Sequence, residues 1–249
     1  MTNKEQIIRT FRKVKKLGWV KSHRRSNTGI GKTFEDYMGV VENNLDEPDL
    51  FGFEIKSHRS ETSSYVTLFT KSPSYPARGA NAFLKEKFGE YYIGSKNKKL
   101  HTSIFANDYN TFSNKYSFKL VHKPKEERIY IGVYSLGGSK ELDCSVYYTY
   151  EDIEKALSKK LGNLFYVKAK RKRDKNGTEL FYFDSAEIYT KPSLRTFLKM
   201  LDKGEIMYDI RIGTYSSGKS KGKSHDHGSG FRIKEHNIVK LYANREKIE

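Results

Sequence analysis

The sequence predicts an α+β protein with two lobes. Segments typical of helices and of strands alternate along the 249 residues in mixed order, without an internal repeat. Eighteen Tyr and fifteen Phe favour strands, in which aromatic side chains are enriched. A hydrophobic content of 36% is sufficient for a real core, so the chain is expected to fold. We place the boundary between the lobes near residue 150, which gives lobes at residues 1–150 and 151–249.

Five segments have the spacing of amphipathic helices. Apolar residues recur in them at intervals of three or four, which places these residues on one face of a helix. The second helix is expected to follow a loop that contains Gly29 and Gly31. The helices are predicted at residues 4–17 and 32–44, and within GANAFLKEKFG, YEDIEKALSKKLG and SLRTFLKMLDKG.

Strands are predicted where apolar and polar residues alternate or where aromatic residues cluster. LFGFEIKS is expected to form a strand, with SYVTLFT as its antiparallel neighbour. Residues 163–189 are predicted to form a hairpin, because Asn176-Gly177 suits a turn with positive φ. Further strands are predicted within KYSFKLVHK, RIYIGVYS, DCSVYYTY, IMYDIRIGTY and FRIKEHNIVKLY.

The charge of the chain is strongly positive. Forty-seven Lys and Arg residues against thirty Asp and Glu give a formal net charge of +17. A surplus of this size favours binding to a polyanion, and its spread over several segments favours a nucleic-acid surface over a single tail. Binding to a membrane surface, or solubility alone, are the alternatives.

The location predicted from the sequence is the cytoplasm. No apolar run approaches the length of a membrane span, and the basic N-terminus lacks the apolar core of a signal peptide. The single cysteine, Cys144, excludes an intramolecular disulfide framework and makes a thiolate zinc site improbable. We therefore expect no contact with a membrane.

The segment GIGKT contains the last part of a nucleotide-binding P-loop. A complete P-loop has a further glycine five residues before the second one, but that position is Ser26. A P-loop also follows a buried apolar strand, whereas KSHRRSNT precedes this segment. Nucleotide binding is accordingly the weaker interpretation, and no organic cofactor is expected.

The segment EPDLFGFEIKS carries the pattern P-D-x4-E-x-K. Residues two apart on a strand point to the same face, so Glu54 and Lys56 should project together while Ile55 enters the core. A turn at Gly52 can bring Asp49 to the same place. The alternative is a solvated Glu/Lys pair on a surface strand.

This combination of side chains suits metal-assisted hydrolysis of a phosphodiester. Asp49 and Glu54 supply hard oxygen ligands for Mg²⁺, and Ile55 can add its backbone carbonyl. Lys56 can hold the attacking water or contact the scissile phosphate. Mn²⁺ is expected to substitute for Mg²⁺, whereas Ca²⁺ is expected to support binding without cleavage.

Together, TGIGKTFE and PDLFGFEIKS resemble the MvaI/BcnI restriction endonucleases, in the MutH-like branch of the PD-(D/E)xK nucleases. The resemblance implies a restriction-endonuclease-like mixed sheet flanked by helices, and two lobes with a DNA-binding cleft. It also assigns Glu35 as an upstream catalytic acid, and GIGKT as the loop before its helix. The lobe at 1–150 would then be catalytic and the lobe at 151–249 would recognise DNA.

The segment GEIMYDIRIGTYSSG…SHDHGSGFRI resembles the recognition lobe of the same family. Guanine offers acceptors in the major groove and cytosine offers an amino donor, so a reader of G·C pairs needs both cations and carboxylates. Alternatives remain open: Asp209 and Arg211 as a structural ion pair, and the HDH segment as a metal site. The predicted DNA-binding residues are Asp209, Arg211, Tyr215, His225, Asp226, His227 and Arg232.

The resemblance implies a type II restriction enzyme. Its expected substrate is double-stranded DNA with the pseudosymmetric site CC(A/T)GG, and its expected form is a monomer that cuts one strand per binding event. A cognate DNA methyltransferase is expected in the same system, without direct contact. A MutH-like nicking enzyme and a non-catalytic DNA-binding module are the alternative interpretations.

Overall fold

The computed structural model describes residues 1–25, 28–40, 48–59 and 65–248, which form helices and several sheets. The helices are α1 (Asn3–Lys16), α2 (Gly29–Met38), α3 (Ala80–Phe88), α4 (Tyr150–Leu161), α5 (Leu194–Asp202) and α6 (Ile238–Leu241). The strands are β1 (Val20–Lys21), β2 (Glu54–Arg59), β3 (Tyr65–Thr70), β4 (Glu90–Tyr91), β5 (Lys98–Ile104), β6 (Tyr116–Lys123), β7 (Arg128–Ser135), β8 (Glu141–Thr149), β9 (Asn163–Arg173), β10 (Glu179–Pro192), β11 (Ile206–Thr214), β12 (Ser224–Asp226), β13 (Gly230–Lys234) and β14 (Tyr242–Ile248).

The chain divides into two compact units that are interleaved in sequence. Unit 1 consists of Met1–Ser64, Leu157–Pro192 and Ile238–Glu249, and unit 2 consists of Tyr65–Ala156 and Ser193–Asn237. The predicted division at residue 150 is therefore wrong, because the β9–β10 hairpin and β14 both belong to the sheet of unit 1.

Unit 1 is a mixed sheet covered by helices. Four of its five strands follow the order β1-β10-β9-β2, and the fifth strand, β14, pairs with β10. The β9–β10 pair is antiparallel, as predicted for the hairpin, whereas β2 runs parallel to β9 with Glu54 opposite Leu164. Phe11 of α1 packs edge-on against Phe165 of β9, with ring centroids 5.7 Å apart. This burial of aromatic surface fixes α1 on the sheet.

The sequence explains why α1 and α2 begin where they do. Thr2 and Glu5 form a capping box, in which the Thr2 hydroxyl accepts from Glu5 N and the Glu5 carboxylate accepts from Thr2 N. A Cβ at Gly29 would lie 2.4 Å from the carbonyl oxygen of Arg24, so only glycine permits this close approach. Gly39, with φ of 79°, ends α2.

Unit 2 contains a six-stranded and a three-stranded sheet. Five strands of the larger sheet follow the order β3-β13-β11-β5-β4, and the sixth strand, β12, pairs with β11. The smaller sheet has the order β6-β7-β8. Three buried aromatic side chains pack together in this unit, since the rings of Tyr148 and Tyr208 lie 5.1 and 5.2 Å from that of Phe231. The long β11 strand lies near the centre of the larger sheet and carries the polar residues discussed below.

The helix predictions are confirmed for α1, α3, α4 and α5, but two expectations about the N-terminal region are corrected. GIGKT is not a loop, because α2 begins at Gly29 and contains Lys32 and Thr33. The predicted extension of this helix to residue 44 is wrong at residues 39 and 40, because α2 ends at Met38, and residues 41–44 lie outside the described residues. The β3 strand pairs with β13 in unit 2 and not with β2.

The predicted C-terminal strand FRIKEHNIVKLY is in part β13, but the chain then turns through α6 into β14, which the sequence analysis missed. Among the helices in the described part of the chain, none has the length and apolar content that a membrane span requires.

Candidate functional site

A tight turn and the start of β2 form the candidate catalytic edge in unit 1. Leu50 and Phe53 exchange backbone hydrogen bonds, and Phe51 and Gly52 between them have φ of 49° and 75°. Two successive residues with positive φ are the signature of a type I′ turn. The predicted turn at Gly52 is therefore confirmed, and it brings Asp49 back toward the strand.

The three predicted residues of the P-D-x4-E-x-K pattern lie together at this edge. Ile55 N donates to Asp49 Oδ2 over 2.7 Å, and Lys56 Nζ donates to Glu54 Oε1 over 2.9 Å. Ile55 itself is buried in the core of unit 1, so Glu54 and Lys56 project from the opposite face, as the alternation predicts. The predicted shared face of Glu54 and Lys56 is confirmed, whereas the catalytic roles of the three residues stay a prediction.

One atom of this edge is buried without a hydrogen bond. Glu54 Oε2 has no hydrogen-bond partner among the described residues, although the atom is inaccessible to solvent. A buried carboxylate oxygen without a partner is costly, because it has lost its water and gained nothing in return. Such an atom fits a ligand that is itself positively charged, for example a divalent metal ion.

Glu35, the predicted upstream acid, lies on α2. This helix packs against β2, and the Glu35 side chain is half-buried. In the ranges that the structure describes, no three His, Cys, Asp or Glu side chains are grouped closely enough to hold a metal ion. At the start of β2, Asp49 is bonded to Ile55 N and Glu54 to Lys56 Nζ, and the role of Glu35 stays a prediction.

Tyr242 is a residue of this region that the sequence analysis missed. It lies on β14, its hydroxyl is buried, and in the described part of the chain this hydroxyl has no hydrogen-bond partner. Burial raises the pKa of Tyr242, and the charge of Glu54 raises it further. No local sequence signal could have found this residue, because it lies on β14, almost 190 positions after Glu54 in the sequence.

The second group of predicted residues lies in unit 2, around the acidic residue Asp209 of β11. Its side chain is only 1% exposed. Oδ2 lies 2.7 Å from Arg211 Nε and 2.9 Å from Arg232 Nε, and Oδ1 accepts from the Ser103 hydroxyl over 2.9 Å. The predicted shared face of Asp209 and Arg211 is confirmed, in the arrangement of an ion pair. Both oxygens of Asp209 are engaged, so a direct contact with cytosine stays a prediction.

Asp226 also has both carboxylate oxygens engaged inside unit 2. Oδ1 accepts from Gly228 N and Ser229 N, and Oδ2 accepts from Asn81 Nδ2 over 2.8 Å. These bonds fold the segment after β12 into a compact turn. Asp226 therefore positions its neighbours in this structure, and its predicted contact with a base is untested.

Aromatic and imidazole rings form a continuous stack beside Arg211. The ring of Tyr215 lies parallel to that of His225 at 4.1 Å, and His227 lies 4.1 Å from His225. His101 contacts His227 edge-on at 6.1 Å. Since Tyr215 and His227 are exposed while Arg211 keeps 46% of its side chain exposed, this surface can present hydrogen-bond donors to a ligand.

His101 is the member of this stack that the sequence analysis missed. It lies on β5 directly opposite Arg211, in a part of the chain that the motifs did not cover. Burial lowers the pKa of His101, and the charges of Arg211, His227 and Lys99 lower it further. The imidazole is therefore kept neutral at neutral pH.

The chain is similar to a known protein family over almost its whole length. The sequence profile of the MvaI/BcnI restriction endonuclease family matches residues 8–242. The structure of the restriction endonuclease MvaI with its cognate DNA substrate is 34% identical, with a TM-score of 0.88 over 97% of this chain and 96% of that one. MvaI in the absence of DNA is also 34% identical, with a TM-score of 0.64 over 98% and 97% of the two chains. The comparison with curated proteins gives no match.

Proposed function

Since the chain belongs to the MvaI/BcnI restriction endonuclease family, and is thus a type II site-specific DNA endonuclease, we propose that it cleaves double-stranded DNA at CC(A/T)GG with Mg²⁺. Restriction endonucleases generally use a divalent metal. The identity of the metal, the target sequence and the order in which the two strands are cut are what we propose for this chain. The observation that carries the proposal is the buried Glu54 Oε2, which has no hydrogen-bond partner among the described residues and belongs to the same edge as Asp49 and Lys56.

The proposed metal ligands are Asp49, Glu54 and the backbone carbonyl of Ile55. Carboxylate and carbonyl oxygens are the donors that Mg²⁺ prefers, and Mg²⁺ keeps several waters in its shell. When bound, the ion would acidify a water and neutralise charge on the phosphate. Mn²⁺ is expected to replace Mg²⁺ in this role, and Ca²⁺ to support DNA binding without cleavage.

Lys56 and Glu35 complete the proposed catalytic set. The Lys56 ammonium is held 2.9 Å from Glu54 Oε1 and is 19% exposed, so it can remain paired and still face a phosphate oxygen or the attacking water. Glu35 lies on a helix that packs against β2, where a carboxylate can orient water near the same edge.

The proposed DNA-reading residues are those of the ring stack and its guanidinium neighbours. Arg211 and Arg232 can donate to the acceptors of guanine, and their shared partner Asp209 restricts where the two guanidinium groups point. His225 and His227 offer further donors, and Tyr215 supplies an exposed ring. Asp226 and Asp209 stay candidates for accepting from the cytosine amino group.

The same proposal includes a monomer that cuts one strand per binding event. One chain carries one Asp49–Glu54–Lys56 set, and a pseudosymmetric site can be bound in either orientation. The proposed location is the cytoplasm, for which a single cysteine and the absence of disulfides are typical. A cognate methyltransferase would protect the host DNA without touching this protein.

Digestion of a sequenced plasmid with the purified chain and Mg²⁺ tests these points together. Mapped ends at CC(A/T)GG, with a nicked circle that precedes the linear product, would support the target and the order of cutting. Ends at another sequence would refute the proposed target. Weak nicking that depends on an added partner protein would favour the MutH-like alternative.

The Glu54→Ala and Lys56→Ala variants test the assignment of the edge. Each should abolish cleavage while binding to the target duplex in Ca²⁺ persists. Cleavage that survives either change would remove that residue from the reaction.

A further inference from the structure

An exposed aromatic pocket lies in unit 1 where α1 ends. This open surface pocket has a volume of about 560 Å³. Trp19 keeps 40% of its surface exposed, and its ring lies 5.9 Å from that of Tyr182 at an angle of 44°. The residues that line the pocket are Arg12, Lys15, Lys16, Gly18, Trp19 and Tyr182.

The surroundings of this pocket are strongly basic. Lys172 Nζ lies 4.3 Å from the centre of the Trp19 ring, and none of the six lining residues is acidic. A second open pocket, of about 510 Å³, adjoins the first, because Arg12 and Lys16 line both. Arg9 and Lys13 line the second pocket and, at spacings of three and four, lie on the same face of α1 as Arg12 and Lys16. Positive charge therefore continues along the helix as far as Arg9, and the acidic Glu5 lines the far end of the second pocket.

The pocket is separate from the candidate catalytic edge. Tyr182 pairs with Lys170 on β9, whereas Glu54 pairs with Leu164 on the same strand. Six residues of extended strand span about 20 Å. The chemistry proposed at Glu54 therefore does not account for Trp19 and its cations.

We propose that the Trp19 pocket binds single-stranded nucleic acid. One unstacked base would lie against Trp19 and Tyr182, and the flanking phosphates would contact the cations of α1 and Lys172. An aromatic platform beside a basic groove is the usual arrangement for this ligand, because every base has a face that can stack and every linkage carries a charge. Bases inside a duplex are already stacked on each other, so a duplex cannot use the ring surface.

The chain carries its own reporter for this site, because Trp19 is its only tryptophan. The full chain is titrated with a twelve-nucleotide oligothymidylate in the presence of a chelator, and the fluorescence of Trp19 is recorded. We expect saturable quenching, with an affinity whose logarithm falls against log salt by about 0.7 for each phosphate contact. No change in fluorescence would overturn the proposal.

Two matched ligands test the base and the strand separately. An abasic deoxyribose-phosphate chain of the same length keeps the charge and lacks the bases, and a twelve-base-pair duplex without CC(A/T)GG keeps the bases in a stack. Both should quench Trp19 more weakly than oligothymidylate. Equal quenching by the abasic chain would overturn the proposed stacking, and equal quenching by the duplex would overturn the preference for single strands.

Variants separate this site from the cleavage reaction. Lys16→Gln should reduce the slope of log affinity against log salt by about 0.7. The control variant Lys155→Gln, at an exposed residue of α4, should leave this slope unchanged. An unchanged slope in Lys16→Gln would remove α1 from the proposed contact. Glu54→Gln should quench like the wild type, so the outcome does not depend on whether the proposed catalytic set is correct.

Discussion

The candidate catalytic edge and the proposed DNA-reading residues share one short pattern, an acid followed two residues later by a cation on a strand. In unit 1 the pair is Glu54 and Lys56, and in unit 2 it is Asp209 and Arg211. Both carboxylates are largely buried, with side chains 13% and 1% exposed. Glu54 has one oxygen paired and one without a partner in the described structure, whereas both oxygens of Asp209 are bonded.

The difference shows that neighbours from other strands decide what such a pair does. Ser103 on β5 and Arg232 on β13 complete the shell of Asp209, so this carboxylate holds other groups in place. No comparable donor reaches Glu54 Oε2 among the described residues, and that oxygen remains able to bind a ligand. We therefore expect Asp209 to hold other side chains in place, and we propose Glu54 as the acid that binds a ligand.

The largest expected effect comes from neutralising Glu54, whose Oε2 has no hydrogen-bond partner among the described residues. Glu54→Gln should lower the cleavage rate on the order of a thousandfold, since the lost metal contact is worth several kcal/mol in the transition state. Single-turnover cleavage of a short target duplex measures this rate. Glu154→Gln, an exposed residue of α4, is the matched control and should cleave normally.

Neutralising the acid of the second pair, Asp209, should lower the stability of the protein. Asp209→Asn weakens one charge-assisted hydrogen bond, from Arg211 Nε, and removes the ion pair with Arg232, so it should lower the free energy of unfolding by about 2 kcal/mol. Glu54→Gln should lower it less, because in the described structure only one oxygen of Glu54 is bonded, to Lys56. Urea unfolding of both variants measures the contrast. If both lose the same free energy, the proposed distinction between the two acids is incorrect.

A smaller effect is expected at the hydroxyl that completes the Asp209 shell. Ser103→Ala should cost about 1 kcal/mol in the free energy of unfolding, which is typical of one hydrogen bond. In the Asp209→Asn background the cost should shrink, because the charge that strengthens the bond is gone. Equal costs in the two backgrounds of this double-mutant cycle would indicate that the hydroxyl acts elsewhere.

The smallest expected effect is a pH dependence in unit 2. The folded state lowers the pKa of His101, so the unfolded chain binds a proton first as the pH falls below about 7. Stability should therefore be lost as the pH falls through the ordinary histidine pKa toward the folded value, and it should be fully present at pH 8. Urea midpoints at pH 8 and pH 5.5 should differ less in His101→Gln than in the wild type. An equal or larger difference in the variant would contradict the cause given for the lowered pKa.

The sequence predicted the parts of the two sites that depend on local geometry. The two-residue period of a strand placed Glu54 with Lys56 and Asp209 with Arg211, and Gly52 indicated the turn that returns Asp49. The family resemblance in the two motif segments led to the fold class and to the family itself, both of which the comparisons confirm. Local patterns were sufficient for these points.

Features that depend on distant pairing could not be predicted in this way. Alternation fixes which face a side chain takes but not which strand lies beside it, so β3 was paired with the wrong neighbour. Tyr242 and His101 lie on strands that carry no recognisable motif. The Ser103 hydroxyl on β5 and the Arg232 guanidinium on β13 contact Asp209 from two different strands. Burial and hydrogen-bond satisfaction are properties of the assembled sheet.

Because the proposed DNA-reading residues lie in unit 2, the interleaving of the two units affects any attempt to exchange these residues between relatives. A chimaera joined at one point, such as residue 150, would combine β2 of one parent with the β9 and β10 partners of the other. A transplant has to exchange residues 65–156 and 193–237 together, as two inserts in a retained host sheet. Such a transplant has four junctions between the two parents, whereas an exchange at residue 150 has one.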